Sequence, residues 1–231
     1  MLELTNVSAF YGASRALDDV SLSINDGEFV SVLGRNGVGK TTMMRAIVGL
    51  MDRSEGSIKV DGVEVIKRPP HARAKAGIGY VPQGRAILPK FTVRENLTIG
   101  TFGTPDGKGE IAEEVLELFP ILREFMNRRG GNLSGGQQQQ LAIARALLTK
   151  PKVILLDEPT EGIQPNIVEQ IEEVLIDLNR KHGLTVVLVE QNVAFARRAS
   201  SRFVLVERGS IAVQGEVGEL TDDLVHRHMA V

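Results

Sequence analysis

The chain contains no cysteine, no excess of basic residues and no long hydrophobic run. The absence of cysteine excludes disulfides and thiolate metal sites. Lysine and arginine total 27 against 29 acidic residues, so the net charge of −2 does not indicate a nucleic acid or an anionic lipid as partner. The aliphatic runs, such as 153–156 and 186–189, are four residues long, whereas a membrane-spanning helix needs about 20.

The first residues, MLELTNVSAFYG, lack a basic stretch followed by an apolar one, so no secretory signal is expected. With 231 residues, 42% of them hydrophobic, the chain can bury a sizeable core. We therefore expect a soluble, cytosolic globular protein of one large domain or two small ones. The 24 glycines cluster at 34–39, 77–84 and 130–136, which suggests places where the backbone approaches a neighbour closely.

Apolar periodicity predicts strands at both ends of the chain. The N-terminal strands are expected around Leu2 to Val7 and over 20–24, 29–33, 57–60 and 78–81. After residue 150 the expected order is a strand at 153–156, a helix at 165–181, a strand at 185–189, a hairpin around Gly209 and a helix over 217–228. Because continuous apolar strands alternate with helices, we predict a parallel sheet covered on both faces.

No strand is predicted between residues 92 and 150. Thr92 and Glu95 form a capping box before a short helix. Apolar residues at 111, 115, 118 and 122 follow helical spacing, and a third helix is expected over about 135–148. We predict a helical subdomain over about 91–150, inserted into a core formed by residues 1–90 and 151–231.

Residues 34–41 match the phosphate-loop pattern G-x4-G-K-[ST], between a strand and a helix expected over 40–50. The glycines let successive N–H groups surround phosphate oxygens, and the helix N-terminus adds partial positive charge. Lys40 is expected to reach the β- and γ-phosphates and Thr41 to bind Mg²⁺. The alternative is a glycine-rich turn without a ligand. The predicted nucleotide-binding residues here are Gly34, Arg35, Asn36, Gly37, Val38, Gly39, Lys40, Thr41 and Thr42.

Two carboxylates, Asp157 and Glu158, directly follow the apolar run 153–156. Parallel α/β sheets bind ligands at the carboxyl ends of their strands. We therefore predict that Asp157 holds Mg²⁺, directly or through water. Glu158 is the predicted general base that orients the attacking water and accepts its proton. The alternative is a solvated strand end before the turn at Pro159.

A second glycine-rich helix start comprises Ser134, Gly135, Gly136 and Gln137. Ser-x-x-Gln is a capping box, which by itself requires no ligand. However, each glycine costs about 1 kcal/mol of helix propensity, and a plain cap has no need of two. We interpret the turn as an exposed N–H surface for a large anion, the nucleotide of another subunit.

In this order, the phosphate loop, Leu-Ser-Gly-Gly-Gln at 133–137 and Val-Ile-Leu-Leu-Asp-Glu from residue 153 resemble the ATP-binding subunit of an ABC transporter over essentially the whole chain. The resemblance implies an α/β phosphate-loop NTPase core with a mixed sheet, an N-terminal antiparallel β subdomain and the inserted helical subdomain. It also implies an ATPase, with ATP and Mg²⁺ as ligands, at the cytoplasmic face of the plasma membrane. The implied partners are integral membrane permease subunits and, indirectly, a solute-binding protein, with no nucleic acid.

Further site residues follow from the resemblance. Tyr11 is implied to stack on the adenine, and Gln83 to contact Mg²⁺ and the attacking water. Two subunits, either identical or related, are implied to close head to tail. The turn at Ser134–Gln137 would then cover the ATP of the facing subunit.

Two positions depart from the family pattern. Gln191 replaces the usual histidine, and Gln164 replaces the usual aspartate. Glutamine can hydrogen-bond the γ-phosphate but cannot become cationic. Val189–Asn192 resembles importers of branched-chain amino acids, whereas residues 161–165 with the four glutamines after Gly136 resemble the urea importers of that group. Urea is therefore the expected solute and branched-chain or other amino acids the alternative.

Other classes of phosphate-loop protein fit less well. A GTPase needs an Asn-Lys-x-Asp guanine reader, which the chain lacks, and a small-molecule kinase does not explain residues 133–137. Soluble ABC ATPases in DNA repair carry long coiled-coil insertions, and translation factors pair two ATPase units. Neither arrangement fits 231 residues. A non-catalytic nucleotide-binding subunit stays open because of Gln191, although Lys40, Asp157 and Glu158 are all present.

Overall fold

The computed structural model describes residues 1–104 and 110–229. The strands are β1 (Leu2–Tyr11), β2 (Ser14–Ile24), β3 (Phe29–Leu33), β4 (Arg53–Val60), β5 (Val63–Glu64), β6 (Ile78–Val81), β7 (Val153–Asp157), β8 (Thr185–Val189), β9 (Arg202–Glu207) and β10 (Ser210–Glu216). The helices are α1 (Lys40–Val48), α2 (Pro70–Lys75), α3 (Val93–Thr101), α4 (Glu113–Leu118), α5 (Pro120–Glu124), α6 (Gly135–Leu147), α7 (Pro165–His182), α8 (Val193–Ala199) and α9 (Asp222–Met229). Across this part of the chain, none of the helices is both long enough and apolar enough to cross a bilayer.

The strands form two sheets of different kinds. The first has the order β2-β1-β4-β5, with antiparallel neighbours. The second has the order β10-β9-β3-β8-β7-β6; the strands from β9 to β6 are parallel, and the edge strand β10 is antiparallel to β9. This architecture confirms the predicted α/β fold with an antiparallel N-terminal sheet and a mixed, mostly parallel second sheet.

Strands β3, β7 and β8 lie inside the second sheet, and every residue in them is buried. Leu155 of β7 packs with the first sheet and α1, whereas its neighbour Ile154 packs with the helices on the other face. Successive side chains of a strand point to opposite faces, so a strand covered on both faces must be apolar throughout. Since β3 and β7 are parallel and flank β8, their last residues, Leu33 and Asp157, lie at the same edge of the sheet.

Between β6 and β7 the described residues form helices and turns, apart from one isolated bridge at Thr92. The predicted capping box is present, because Thr92 and Glu95 accept each other's backbone N–H groups. The pattern over 111–122 is not a single helix, since α4 ends before Phe119 and α5 begins at Pro120. Proline lacks an N–H group and disfavours helical backbone at the preceding residue, which explains the interruption.

The C-terminal helix is shorter than predicted. A 3-10 turn spans Val217–Glu219, and α9 begins only at Asp222. Leu220 lies between them, with its side chain buried and its carbonyl accepting two hydrogen bonds from the guanidinium of Arg197. Because a tertiary contact holds this carbonyl, the chain leaves the helical path there.

Candidate functional site

The loop between β3 and α1 has the backbone shape of an anion-binding turn. Gly39 is the N-cap residue of α1 and has a φ of 113°, a conformation that residues with a Cβ rarely adopt. Gly37 has a φ of 79°, and a Cβ there would meet nothing within 4 Å, so this side of the loop is open. Val38 packs against the core below the loop. The loop therefore presents its backbone to a cavity at the N-terminus of α1.

The Lys40 ammonium lies inside this loop, with the side chain 4% exposed. Its Nζ donates to the carbonyls of Gly34 at 2.8 Å and Arg35 at 2.9 Å, and it lies 3.7 Å from Oε1 of Glu158. Burial lowers the pKa of Lys40, and the carboxylates of Glu158 and Asp157 oppose that shift. The loop thus holds one buried ammonium beside the strand-end carboxylates.

Asp157 and Thr41 meet at the sheet edge, where Thr41 Oγ1 donates to Oδ1 of Asp157 at 3.1 Å. Oδ2 of Asp157 is buried, and no described residue supplies it with a hydrogen bond. Burial raises the pKa of Asp157, and the Thr41 hydrogen bond opposes the shift. A hydroxyl beside an unpaired carboxylate oxygen suits Mg²⁺, which prefers oxygen ligands. Within residues 1–104 and 110–229, no three His, Cys, Asp or Glu side chains form a metal cage.

Glu158 has a φ of 47°, unusual for a residue with a side chain, and its N–H donates to Val189 O at 2.9 Å. Its Oε2 accepts from Gln83 Nε2 at 3.3 Å, and its Oε1, which faces Lys40, accepts from Gln191 Nε2 at 3.1 Å. Strained backbone of this kind is concentrated at functional sites, where the surrounding contacts hold it in place. Three separate segments of the chain therefore converge on one carboxylate.

A cavity of about 270 Å³ lies over these groups. It is lined by Asn36, Gly37, Gly39, Lys40, Thr41, Thr42, Gln83, Glu158 and Glu161. The structure thus brings most of the predicted phosphate-loop residues together with Gln83 and Glu158. Gln191 is not in the cavity lining, but it reaches the Glu158 carboxylate through its own hydrogen bond.

Tyr11 lies outside this cavity lining, at the end of β1. Its side chain is 41% exposed, and its hydroxyl accepts a hydrogen bond from Arg45 Nη1 at 3.4 Å. Arg45 is on α1, the helix that begins in the phosphate loop. The exposed ring is available to a flat ligand, and its place in a nucleotide site stays a prediction.

The turn at Ser134–Gln137 caps α6 with both bonds of the predicted capping box. The structure gives a different reason for its glycines from the one predicted. A Cβ at Gly136 would lie 2.6 Å from Cγ2 of Ile167 on α7, and a Cβ at Gly135 would lie 3.1 Å from the guanidinium of Arg85. Helix packing therefore explains Gly136, and the contact of this turn with an anion stays a prediction.

A family model described as ABC transporter matches residues 17–161. The chain belongs to the ABC transporter family. This ABC transporter chain is 42% identical over 214 residues to the high-affinity branched-chain amino acid transport ATP-binding protein BraG of Pseudomonas aeruginosa, covering 92% of this chain and 91% of that protein. It is 39% identical over 225 residues to the probable branched-chain amino acid transport ATP-binding protein LivF of Archaeoglobus fulgidus, covering 96% and 94% of the two chains.

Solved structures agree with this assignment. A dimeric post-hydrolysis state of the ATP-binding cassette MJ0796, bound to ADP and phosphate, is similar with a TM-score of 0.83 and 33% identity, covering 94% of this chain and 99% of that one. The chain is therefore an ABC ATPase, a subunit that couples ATP hydrolysis to transport.

Some residues of the ABC ATPase site were not predicted. The Glu161 carboxylate accepts a hydrogen bond from the Gln83 amide at 2.9 Å. The pKa of Tyr80 is raised by burial and by the nearby charge of Asp157. Glu190 is buried directly after β8 and binds both neighbouring loops. The sequence pattern that could have predicted Glu190 is the one used for Asp157, namely an acidic residue at the end of a continuous apolar strand.

Proposed function

We propose that this subunit binds and hydrolyses ATP at the cytoplasmic face of the plasma membrane to energise solute import through separate permease subunits. The observation that supports this most strongly is the convergence of Lys40, Thr41 and Glu158 on one phosphate-loop cavity, with Asp157 hydrogen-bonded to Thr41. In this proposal the core comprises residues 1–90 and 151–231, and the helical subdomain comprises residues 91–150.

Nucleotide binding is assigned to the loop and its surroundings. Backbone N–H groups of 34–39 and the N-terminus of α1 bind the phosphates, and Lys40 transfers its hydrogen bonds from loop carbonyls to phosphate oxygens. Thr41, Asp157 and Gln83 would hold Mg²⁺, which when bound neutralises charge on the β- and γ-phosphates. Tyr11 supports the adenine by stacking.

Hydrolysis is assigned to Glu158. Its carboxylate orients a water and accepts a proton from it as the water oxygen bonds to the γ-phosphorus, while the bond from that phosphorus to the bridging oxygen breaks and ADP leaves. The amides of Gln83 and Gln191 hold this carboxylate from two sides. On attack, Gln191 can also donate to the γ-phosphate, as a neutral replacement for the family's histidine.

A second subunit completes the site in this proposal. The described residues that line the cavity over the phosphate loop do not include Ser134, Gly135 or Gly136, whose N–H groups lie at the start of α6. Two copies, or this chain and a related one, would close head to tail so that this turn covers the γ-phosphate of the facing subunit. The dimeric state of the similar cassette MJ0796 supports that arrangement.

Ser134→Arg is expected to bind ATP normally but to remain monomeric, because a long cation then occupies the turn that meets the other subunit. Light scattering in the presence of Mg-ATP measures the oligomeric state of this variant and of its control, with ATP hydrolysis blocked in both proteins. Ser23→Arg, at an exposed position of β2, is the matched control and should dimerise. Normal dimerisation of Ser134→Arg would show that this turn does not face another subunit's nucleotide.

The permease is proposed to dock between the core and the helical segment. A cavity of about 350 Å³ lies there, lined by residues of α1, α2, β6, α3 and α6. Leu50 and Ile99 in its lining are 54% and 39% exposed, and such exposed apolar side chains favour a protein partner. A helix of the permease carrying apolar side chains is the proposed occupant.

For the solute, the similarity to BraG and LivF favours a branched-chain amino acid, whereas the sequence of residues 161–165 favours urea. The assembled transporter with its solute-binding protein, in proteoliposomes, separates the two. Leucine is expected to stimulate ATP hydrolysis and to be accumulated. Stimulation by urea alone would replace the amino acid with urea and leave the ATPase assignment unchanged.

A further inference from the structure

We propose that Glu190 is a positioning residue that holds Glu158 and Gln191 in one fixed arrangement for hydrolysis. Glu190 directly follows β8 and is only 4% exposed. Its backbone N–H donates to Val32 O of β3, the strand that leads into the phosphate loop. The proposal rests on the roles proposed above for Glu158 and Gln191.

The Glu190 carboxylate joins two loops through four hydrogen bonds from neutral donors. Oε1 accepts from Thr160 Oγ1 at 2.6 Å and from Thr160 N at 3.3 Å. Oε2 accepts from Gln191 N at 3.1 Å and from Asn192 N at 3.4 Å. One oxygen therefore binds the turn after β7, and the other binds the turn after β8.

These bonds close a ring that includes the proposed general base. Gln191 Nε2 donates to Glu158 Oε1, and Glu158 N donates to Val189 O. Thr160 lies two residues after Glu158, so Glu190 fixes the backbone on both sides of the Glu158–Gln191 contact. The charge of Glu190 also acts on Lys40, where it opposes the lowering of the lysine pKa by burial.

Two substitutions separate the hydrogen bonds of Glu190 from its charge. Glu190→Gln keeps the side-chain volume but leaves only one acceptor oxygen. The NH2 group of the new amide then faces the N–H donors of one of the two loops and cannot accept their hydrogen bonds. Thr160→Val keeps the carboxylate and removes only the 2.6 Å hydrogen bond. Glu172→Gln, at another glutamate that is only 3% exposed and is paired with Arg198 outside the site, is the matched control.

Glu190→Gln is expected to lower kcat by about ten-fold with KM for ATP unchanged, because displacement of reacting groups affects the chemical step. Thr160→Val should lower kcat by a smaller factor in the same way, and Glu172→Gln should leave it unchanged. If Glu190 acts through Gln191, the double variant Glu190→Gln/Gln191→Ala should be no slower than the slower single variant.

The double-variant result decides between positioning and general stability. The positioning role would be overturned if the double variant lost kcat by the product of the two single losses, or if Glu172→Gln lost as much kcat as Glu190→Gln. The proposed roles of Glu158 and Gln191 would stand in either case. An unchanged kcat for Gln191→Ala would overturn the role of Gln191 in the proposed function, and the Glu190 proposal with it. If Glu190→Gln does not fold, the same cycle is measured with Thr160→Val, and multiplied losses there contradict the proposal equally.

Discussion

Glu158→Gln is expected to lower kcat for ATP hydrolysis by about 10²- to 10⁴-fold while ATP still binds. The amide has nearly the same shape, and its one oxygen can still accept from either Gln83 or Gln191, which bind different oxygens of the native carboxylate. It cannot accept the proton of the attacking water. Because ATP persists, the variant is also expected to accumulate as an ATP-bound dimer.

Single-turnover hydrolysis, nucleotide titration and light scattering measure these three quantities on one protein. Glu172→Gln again serves as a control, since it makes the same chemical change at a buried glutamate outside the site. An unchanged kcat for Glu158→Gln would reject the general-base assignment. A loss of ATP binding with folding retained would instead give Glu158 a role in binding.

Lys40→Ala is expected to weaken ATP binding by about 10- to 100-fold, the value of one lost charge-assisted hydrogen bond to phosphate. The ammonium is buried and held by the carbonyls of Gly34 and Arg35, so it is already in place before the nucleotide arrives. No other described lysine or arginine lines the cavity over the phosphate loop.

Isothermal titration with ATP and Mg²⁺, together with thermal unfolding of the free protein, tests this expectation. Lys150→Ala is the matched control, because Lys150 is exposed and precedes β7 at the opposite end from Asp157. Native affinity in Lys40→Ala would contradict the reading of residues 34–41 as a phosphate loop.

Local patterns were sufficient for much of the fold and the site. The capping boxes at Thr92 and Ser134 depend on side chains three residues apart, so short-range spacing predicts them. The buried strand before Asp157 is continuous and apolar because both faces of the sheet are covered, and that requirement is visible in the residues themselves.

Other features depend on contacts between distant residues. Gly136 faces Ile167 on α7, the Leu220 carbonyl accepts hydrogen bonds from Arg197, and Glu190 binds Thr160 thirty positions earlier in the chain. No local spacing encodes such pairs, because the fold alone decides which segments become neighbours.

The order of residues in this chain was enough to identify the family and to predict a phosphate loop and a metal-binding strand end, since each depends on adjacent or regularly spaced side chains. Only the folded chain decided that Gln83, Gln191 and Lys40 meet at Glu158 and that one buried oxygen of Asp157 has no hydrogen-bond partner among the residues that the structure describes. Parallel strands carry their carboxyl ends to one edge of the sheet, and that edge is where residues far apart in sequence become a single site.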